Sequence, residues 1–236
     1  MAIRNQNKLV IPEGLTPHTA EIFKTISTMS CIKDLFLCGG TAQSIQMNHR
    51  LSEDLDFELI GIKKDRPSLP YDDIINEIKS TFKDARIDIL GDNQLEAFVN
   101  NESVKLSFYR PDNPVKYINP GPKFNNIQTP SLQDLLGMKL YTLCVRQKYR
   151  DYYDIHCLLS EGYNLTEGIS YASHFSRHTV KSKAILSRLL APQLFPRPKD
   201  FDKMKPKYDL TPEQIAEQMQ ERIENYARMK SGRLKR

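Results

Sequence analysis

The sequence predicts an α+β fold, in which a mixed sheet with flanking helices is followed by a C-terminal helical bundle. In the first half, short apolar runs typical of strands stand between amphipathic stretches typical of helices. From Thr129 onward the pattern is helical only. Because this order suggests two packed units, we divide the chain into an α/β domain, residues 1–125, and a mainly helical domain, residues 126–236.

Local patterns define the elements of the first half. Residues 17–30 have the apolar spacing of a helix, and DLFLCGG (34–40) is predicted to be a short buried strand that ends in a glycine turn. A short helix is expected to start at that turn, near Thr41. LSEDLDFELIGI (51–62) mostly alternates apolar and polar residues as a strand does, and YDDIINEIKSTF (71–82) is amphipathic with the period of a helix.

A hairpin and an irregular connection are predicted next. Strands are expected around QLEAFVN (94–100) and in SVKLSFYR (103–110), with the turn NNES between them. The following segment, RPDNPVKYINPGPKFNNIQTP (110–130), is rich in proline and asparagine. We therefore predict that it crosses irregularly from one half of the molecule to the other.

Helices alone are predicted after this crossing. Ser131 and Asp134 form an S-x-x-D start signal ahead of an apolar run. DYYDIHCLLSEG is expected to be a second helix, or a continuation of the first, that stops near Gly162. Helical patterns also cover 164–192 and 211–230, with a proline-rich segment between them.

Composition narrows the class of protein. A chain of 236 residues, 39% hydrophobic and 27% charged, is long enough to bury a core and is not typical of disorder. No apolar run approaches the roughly 20 residues that span a bilayer, and the N-terminus lacks a signal-peptide pattern, so we expect a cytoplasmic protein without membrane contact. The cysteines form no CxxC pair and no zinc-ligand spacing, so we interpret them as core residues: Cys31, Cys38, Cys144 and Cys157.

The net charge of +5 permits a polyanionic partner such as nucleic acid or a nucleotide. Much of the excess lies late in the chain, in RPKDFDKMKPK and ARMKSGRLKR. A solvated basic tail explains the same pattern.

Two aspartates, Asp54 and Asp56, stand one residue apart in an apolar run. Alternate residues of a strand point the same way, so these two and Ser52 are expected on one face. Neighbouring carboxylates repel each other unless a cation lies between them, and Mg²⁺ prefers one or two carboxylates together with phosphate oxygens and water. The pair would supply half of a metal site, although two surface residues of an edge strand would give the same pattern.

The Gly39-Gly40-Thr41 turn offers a site for a phosphate. Glycines let the backbone approach a ligand closely, and a helix that starts there directs free N–H groups and its positive dipole end at the ligand. An ordinary turn explains the glycines alone equally well. The ordered combination of strand, GGT, helix and D-x-D strand is far more specific than either half.

This combination resembles the first motif of the nucleotidyltransferase superfamily, which has the polymerase-beta-like fold. More narrowly, GGTAQSIQMNHRLSEDLDF is similar to the GGTAL…HR.SEDLDF signature of the AbiEii/AbiGii family of abortive-infection and toxin–antitoxin toxins. The residues that match are Gly39, Gly40, Thr41, His49, Arg50, Ser52, Asp54, Asp56 and Phe57. The resemblance covers about residues 30 to 160. It implies a metal on Asp54 and Asp56, and nucleotide contacts from the glycines, Thr41 and Ser52.

The family also has a helix that bears a lysine, followed by an R-D-x-x-D-like motif. Lys139 matches the lysine, and Arg150, Asp151 and Asp154 match the motif. The resemblance implies that Lys139 contacts the triphosphate, with Arg150 also at the nucleotide. Asp151 would position Lys139 or a substrate hydroxyl, or act as a base, and Asp154 would support them. Lys139 falls on an apolar helical stripe, so it must snorkel or meet an anion, and a structural ion pair accounts for this too.

Two positions leave alternatives open. Many superfamily members place a third acidic residue on a later strand, but SVKLSFYR offers Ser107 there. Glu96 and Glu102 are nearby candidates, and the second metal and the general base stay undecided. The supporting pair His49 and Arg50 could face the nucleotide, or could cap the short helix and bind a backbone carbonyl.

Three hypotheses follow. The resemblance implies a metal-dependent nucleotidyltransferase, using Mg²⁺ or Mn²⁺, that moves an NMP from an NTP to a hydroxyl of RNA, such as a tRNA end, or of a protein. It also implies a toxin with a cognate antitoxin. The missing third acid motivates the second hypothesis, a catalytically degenerate nucleotide binder. The third is a nucleic-acid-binding module, which leaves the GGT and D-x-D arrangement unexplained.

Overall fold

The computed structural model describes residues 11–60, 68–111, 118–175 and 180–233, with side chains to residue 228. Within these ranges the strands are β1 (Leu35–Leu37), β2 (Leu55–Leu59), β3 (Arg86–Ile89), β4 (Gln94–Val99), β5 (Val104–Tyr109), β6 (Pro120–Phe124) and β7 (Ile127–Pro130). The helices are α1 (Pro17–Ile26), α2 (Gly39–Met47), α3 (Tyr71–Thr81), α4 (Leu132–Val145), α5 (Tyr149–Ser160), α6 (Leu165–Ala172), α7 (Ser182–Leu189) and α8 (Pro212–Arg233).

The strands form one mixed sheet in the order β3-β4-β5-β2-β1-β7-β6. At its centre β2 runs antiparallel to β1 and parallel to β5. This pairing sets Asp56 beside Ser107 and Phe57 beside both Leu37 and Phe108. The strand before the glycines and the D-x-D strand are therefore paired.

One face of the sheet is a hydrophobic core. Alternation along β2 turns Leu55, Phe57 and Leu59 to the buried side, as predicted from the sequence. They cluster with apolar residues of α1 and α3, including Phe23 and Ile74. The opposite face of β2 carries the polar residues, which the core holds in place.

The helices after the sheet pack around a second core, formed by α4 to α8. Helix α4 begins where the S-x-x-D signal predicts, because the Ser131 hydroxyl accepts a hydrogen bond from the Asp134 N–H. Tyr152 and Tyr153 of α5 are completely buried in this core. Helix α5 ends just before Gly162, whose φ of +91° suits glycine.

The structure corrects several predicted boundaries. Helix α1 ends at Ile26 instead of residue 30, α2 already begins at Gly39, and β2 begins at Leu55, after Asp54. The irregular crossing predicted for 110–130 was wrong from Pro120 on, where β6 and β7 form a hairpin. Strand β3 was missed. Residues 112–117 of the predicted crossing, and 61–62 of the predicted strand, lie outside the described residues.

The division of the chain at residues 125 and 126 stays a prediction, although β7 lies beyond it and still belongs to the sheet through its parallel pairing with β1. In the part of the chain that the structure describes, no helix combines the length and apolarity needed to cross a membrane.

Candidate active site

Two consecutive glycines lie where two groups of charged side chains meet. A Cβ added to Gly39 would lie 3.4 Å from Asp56 Oδ2, and Gly39 has a φ of +67°. A Cβ added to Gly40 would clash with the Arg50 guanidinium and lie 3.7 Å from Asp154 Oδ2. The glycines thus let an acidic pair approach the backbone from one side and an ion-pair network from the other.

The acidic pair consists of Asp54 and Asp56, both half-buried. The sheet fixes Asp56, because its carbonyl accepts a hydrogen bond from the Cys38 N–H at 2.8 Å. Burial raises the pKa of Asp54, and the Asp56 carboxylate adds to the shift while Lys105 opposes it. A cation beside the pair would relieve this electrostatic cost.

Glu58 is a third carboxylate on the same face of β2, two residues after Asp56. Burial and the charge of Asp56 raise its pKa to about 7. Glu58 is not among the site residues predicted from the sequence, although the D-x-D-x-E spacing is a usable signal for it.

A hydrogen-bonded link ties the start of α2 to the acidic pair. The buried hydroxyls of Thr41 and Ser52 lie 2.7 Å apart, and the Thr41 hydroxyl also donates to the Asp54 carbonyl. The predicted nucleotide-binding hydroxyls are therefore engaged with each other and with the backbone that carries Asp54. They position this turn.

The ion-pair network is centred on Asp154, which is completely buried. Arg50 donates to it from Nε (2.7 Å) and Nη2 (2.9 Å), Lys139 Nζ lies 2.7 Å from its Oδ2, and His49 Nε2 lies 2.8 Å from its Oδ1. Burial alone would oppose ionisation, but Arg50 and Lys139 outweigh it and hold the pKa of Asp154 well below its usual range. Gln43 fixes the same turn of α5 by donating to the Asp154 carbonyl.

Asp151 extends the network toward solvent. Lys139 Nζ donates to its Oδ1 at 2.8 Å, and Arg146 donates to both of its oxygens at 2.8 and 3.2 Å. Burial opposes ionisation here as well, but Lys139 and Arg146 lower the pKa of Asp151. Arg146, the C-cap residue that follows α4, is not among the site residues predicted from the sequence.

The structure thus unites the predicted residues of the two clusters. Lys139 lies on a buried stripe, as predicted, and of the two alternatives left open for it, snorkelling or an anion, the structure shows an ion pair with Asp151. His49 and Arg50 are buried on Asp154, and Arg50 also donates to the Leu51 carbonyl at 3.0 Å. The helix is capped by Asn48 instead. Arg150 is exposed, and its charge favours the ionised form of Asp54.

The position expected to hold a third acid lies on β5, between β2 and β4. Ser107 stands beside Asp56 on one side and beside Glu96 on the other. Glu96 lies 3.7 Å from Lys105 Nζ, and Glu102 pairs with Arg86 at the exposed turn. Neither glutamate occupies the place of Ser107, which is itself 7% exposed.

Asp54 and Asp56 are the carboxylates of this turn that would serve as two ligands of a divalent cation. The described residues contain no group of three or more histidine, cysteine or acidic side chains that would hold a metal alone. Mg²⁺ commonly takes one or two carboxylates and completes its shell with substrate phosphates and water. The donor set therefore suits a cation that arrives with a nucleotide.

Comparison with known proteins identifies the family of the chain and the class of its fold. A model of the family described as "Nucleotidyl transferase AbiEii toxin, Type IV TA system" matches residues 23–232. The fold is similar to that of a putative nucleotidyltransferase from Helicobacter pylori, with a TM-score of 0.53 and 18% identity over 91% of this chain and 98% of that one. It is also similar to MenT4, a nucleotidyltransferase toxin from Mycobacterium tuberculosis, with a TM-score of 0.50 and 14% identity over 79% and 74%. No curated protein sequence matches the chain.

The fold is therefore that of the nucleotidyltransferases, as the sequence predicted. Because the family model covers most of the chain, the protein belongs to the AbiEii family of nucleotidyltransferase toxins.

Proposed function

We propose that the protein transfers a nucleoside monophosphate from an NTP to a hydroxyl of RNA, such as a tRNA end, and releases pyrophosphate. The acceptor oxygen forms a bond to the α-phosphorus, the bond from that phosphorus to the bridging oxygen of the β-phosphate breaks so that pyrophosphate leaves, and the hydroxyl proton passes to water. The main support is the position of the Gly39-Gly40 turn, which lies between the Asp54/Asp56 pair and the ion-pair network around Asp154, where positive charges are in excess.

Asp54 and Asp56 are the residues we assign to Mg²⁺ or Mn²⁺, which when bound would neutralise charge on the phosphates and the leaving group. The raised pKa of Asp54 supports this assignment, because a nearby cation favours the ionised carboxylate. The sheet and the Thr41–Ser52 link hold both carboxylates before the nucleotide arrives. Such preorganisation lowers the cost of reaching the transition state.

The start of α2 is the proposed phosphate site. The first turn of a helix has N–H groups without intrahelical acceptors, and its dipole favours an anion. Gly39, Gly40 and Thr41 form this turn, and the glycines keep the approach open. Arg150 would add a cation beside the nucleotide.

Lys139 and Asp151 are assigned to the same site. The Lys139 ammonium donates to Asp151 and lies 2.7 Å from Asp154, and we assign its third N–H group to a phosphate. The lowered pKa of Asp151 favours a positioning role over proton abstraction at neutral pH. Asp154, with Arg50 and His49, holds α5 against the glycine turn.

The turn between α4 and α5 supports an RNA acceptor over a protein. Lys148 is exposed in this turn, and Arg150 is exposed in the first turn of α5, next to Asp151 of the site. Closely spaced cations beside a reaction centre suit a phosphate backbone. Membership of a toxin family makes a cognate antitoxin the expected protein partner.

The test is transfer of label from each of the four α-³²P NTPs, with Mg²⁺, to total tRNA or to the protein itself. The variant Asp54→Asn/Asp56→Asn should lose transfer, whereas Glu53→Gln, an exposed acid of the same segment, should retain it. Transfer that survives in the double variant would refute the assigned roles of the aspartates.

A degenerate nucleotide binder is the alternative that Ser107 favours, since a third acid is missing beside Asp56. In that case the wild-type protein would bind NTPs in calorimetry and transfer no label. Salt-dependent RNA binding that survives Asp54→Ala, without transfer, would indicate a nucleic-acid-binding module instead.

A further inference from the structure

The ion-pair network opens to solvent at one residue. The side chains of His49, Arg50, Asp151 and Asp154 are at most 3% exposed, and that of Lys139 is 6% exposed. The Arg146 side chain is 57% exposed, although it binds an aspartate that is 1% exposed. Among these residues, Arg146 has by far the most exposed side chain, so its guanidinium is the group of the network that an incoming ligand meets first.

Charge also favours an anion at this opening. Arg50, Lys139 and Arg146 carry three positive charges, and Asp151 and Asp154 carry two negative charges. His49 stays neutral, because burial lowers its pKa despite the opposing effect of Asp154. The network therefore carries about one excess positive charge, and its exposed cation is the natural place for a phosphate.

A chain of contacts connects Arg146 to the glycine turn beside the Asp54/Asp56 pair. The contacts run from Arg50, which borders Gly40, through Asp154, Lys139 and Asp151 to Arg146, and the links from Arg50 onward measure 2.7 to 3.2 Å. The glycine at the other end of this chain follows Gly39, which borders Asp56. Hydrogen bonding to Asp151 raises the pKa of Arg146, and the charges of Asp151 and Asp56 add to that shift.

We propose that Arg146 binds the terminal phosphates of the NTP and that Asp151, itself held by Lys139, orients the guanidinium for this contact. This inference rests on the proposed function, because it assigns a residue to the same nucleotide site. It adds a residue that has no counterpart in the motifs recognised from the sequence. An arginine suits the task because its planar fork can bind a carboxylate on one edge and phosphate oxygens on another.

Inorganic tripolyphosphate is the probe, since it presents the phosphate chain without a base or sugar. Calorimetry in EDTA compares its affinity for the wild-type protein, Arg146→Ala and Arg146→Lys. The matched control is Arg86→Ala, because Arg86 is 46% exposed and pairs with Asp88 and Glu102 in the same manner, at the far edge of the sheet. Circular dichroism verifies that each variant is folded.

We expect Arg146→Ala to bind tripolyphosphate about 10- to 100-fold more weakly, as for a lost hydrogen bond to a charged group. Arg146→Lys should recover part of the affinity, and Arg86→Ala should bind as the wild type does. AMP binding should change little in any variant, which a general loss of structure would not predict.

Two results would overturn the inference. One is equal tripolyphosphate affinity of the wild-type protein and Arg146→Ala. The other is that the wild-type protein does not bind tripolyphosphate. If that protein still transfers labelled NMP with Mg²⁺, the proposed function survives and the role of Arg146 does not. If Arg146→Ala does not fold, Arg146→Gln takes its place, and a tripolyphosphate affinity equal to that of the wild type in this variant would contradict the phosphate contact.

Discussion

Replacing Asp154 by asparagine tests the ion-pair network most directly. The change removes one negative charge and leaves Arg50 and Lys139 buried, with side chains 3% and 6% exposed. Removing one partner of a buried ion pair costs about 3–5 kcal/mol. For a chain of this length each kcal/mol lowers the melting temperature by roughly 2–4 °C, so the expected decrease is about 6–20 °C.

The assay is urea and thermal unfolding at pH 7, followed by circular dichroism. Asp88→Asn is the control, because Asp88 forms an exposed pair with Arg86 that should contribute less than about 1 kcal/mol. The folded-state pKa of Asp154 lies below its unfolded value, so its stabilisation is present above about pH 4 and is lost as the pH falls further. The difference between wild type and variant should therefore shrink at acidic pH.

A loss of less than about 1 kcal/mol for Asp154→Asn would refute this reasoning. So would a difference that stays constant from pH 7 to pH 3, since a packing defect does not depend on the ionisation of Asp154.

Three further predictions concern the glycine turn and the acidic face. Glu58→Gln should stabilise the folded protein at pH 8 and have little effect below pH 4.5. The pKa of Glu58 rises to about 7 on folding, so its ionisation costs stability as the pH rises. Urea unfolding in EDTA at both pH values measures this, and an equal effect at the two pH values would contradict it. Gly40→Ala should destabilise the protein by about 1–3 kcal/mol and impair NMP transfer, because the added Cβ displaces the Arg50 guanidinium. A variant as stable as the wild type would contradict the packing seen at Gly40. Ser107→Asp should have a lower melting temperature than Ser107→Asn in EDTA, because its new carboxylate would face Asp56. Mg²⁺ should restore the melting temperature of Ser107→Asp, and no response to Mg²⁺ would argue against a cation there.

Local sequence patterns were sufficient to predict many of the strands and helices. Apolar alternation identified β2, β4 and β5, and the cap formed by Ser131 marked the start of α4. These features depend on neighbours in the chain, so a sequence pattern records them. The order of glycines and aspartates likewise indicated the candidate site.

The missed strands β3, β6 and β7 depend on tertiary pairing. Strands β3 and β6 are the two edges of the sheet, and their residues are mostly not buried, so little apolar alternation marks them. Strand β6 contains Pro120 and Pro122, which an edge strand tolerates because one side of it makes no ladder hydrogen bonds. Strand β7 has four residues, and its pairing with β1 comes from a distant part of the chain.

The sequence by itself determined which residues carry charge, that Lys139 lies on a buried stripe, and where the chain turns at its glycines. Only the tertiary structure decided how the charges pair. Arg50 and Asp154 are 104 residues apart in the chain, yet they meet at 2.7 Å because β1 brings α2 against α4 and α5. Distance along the chain does not encode such a contact, and the electrostatic energy of a buried charge depends on the distances that folding sets.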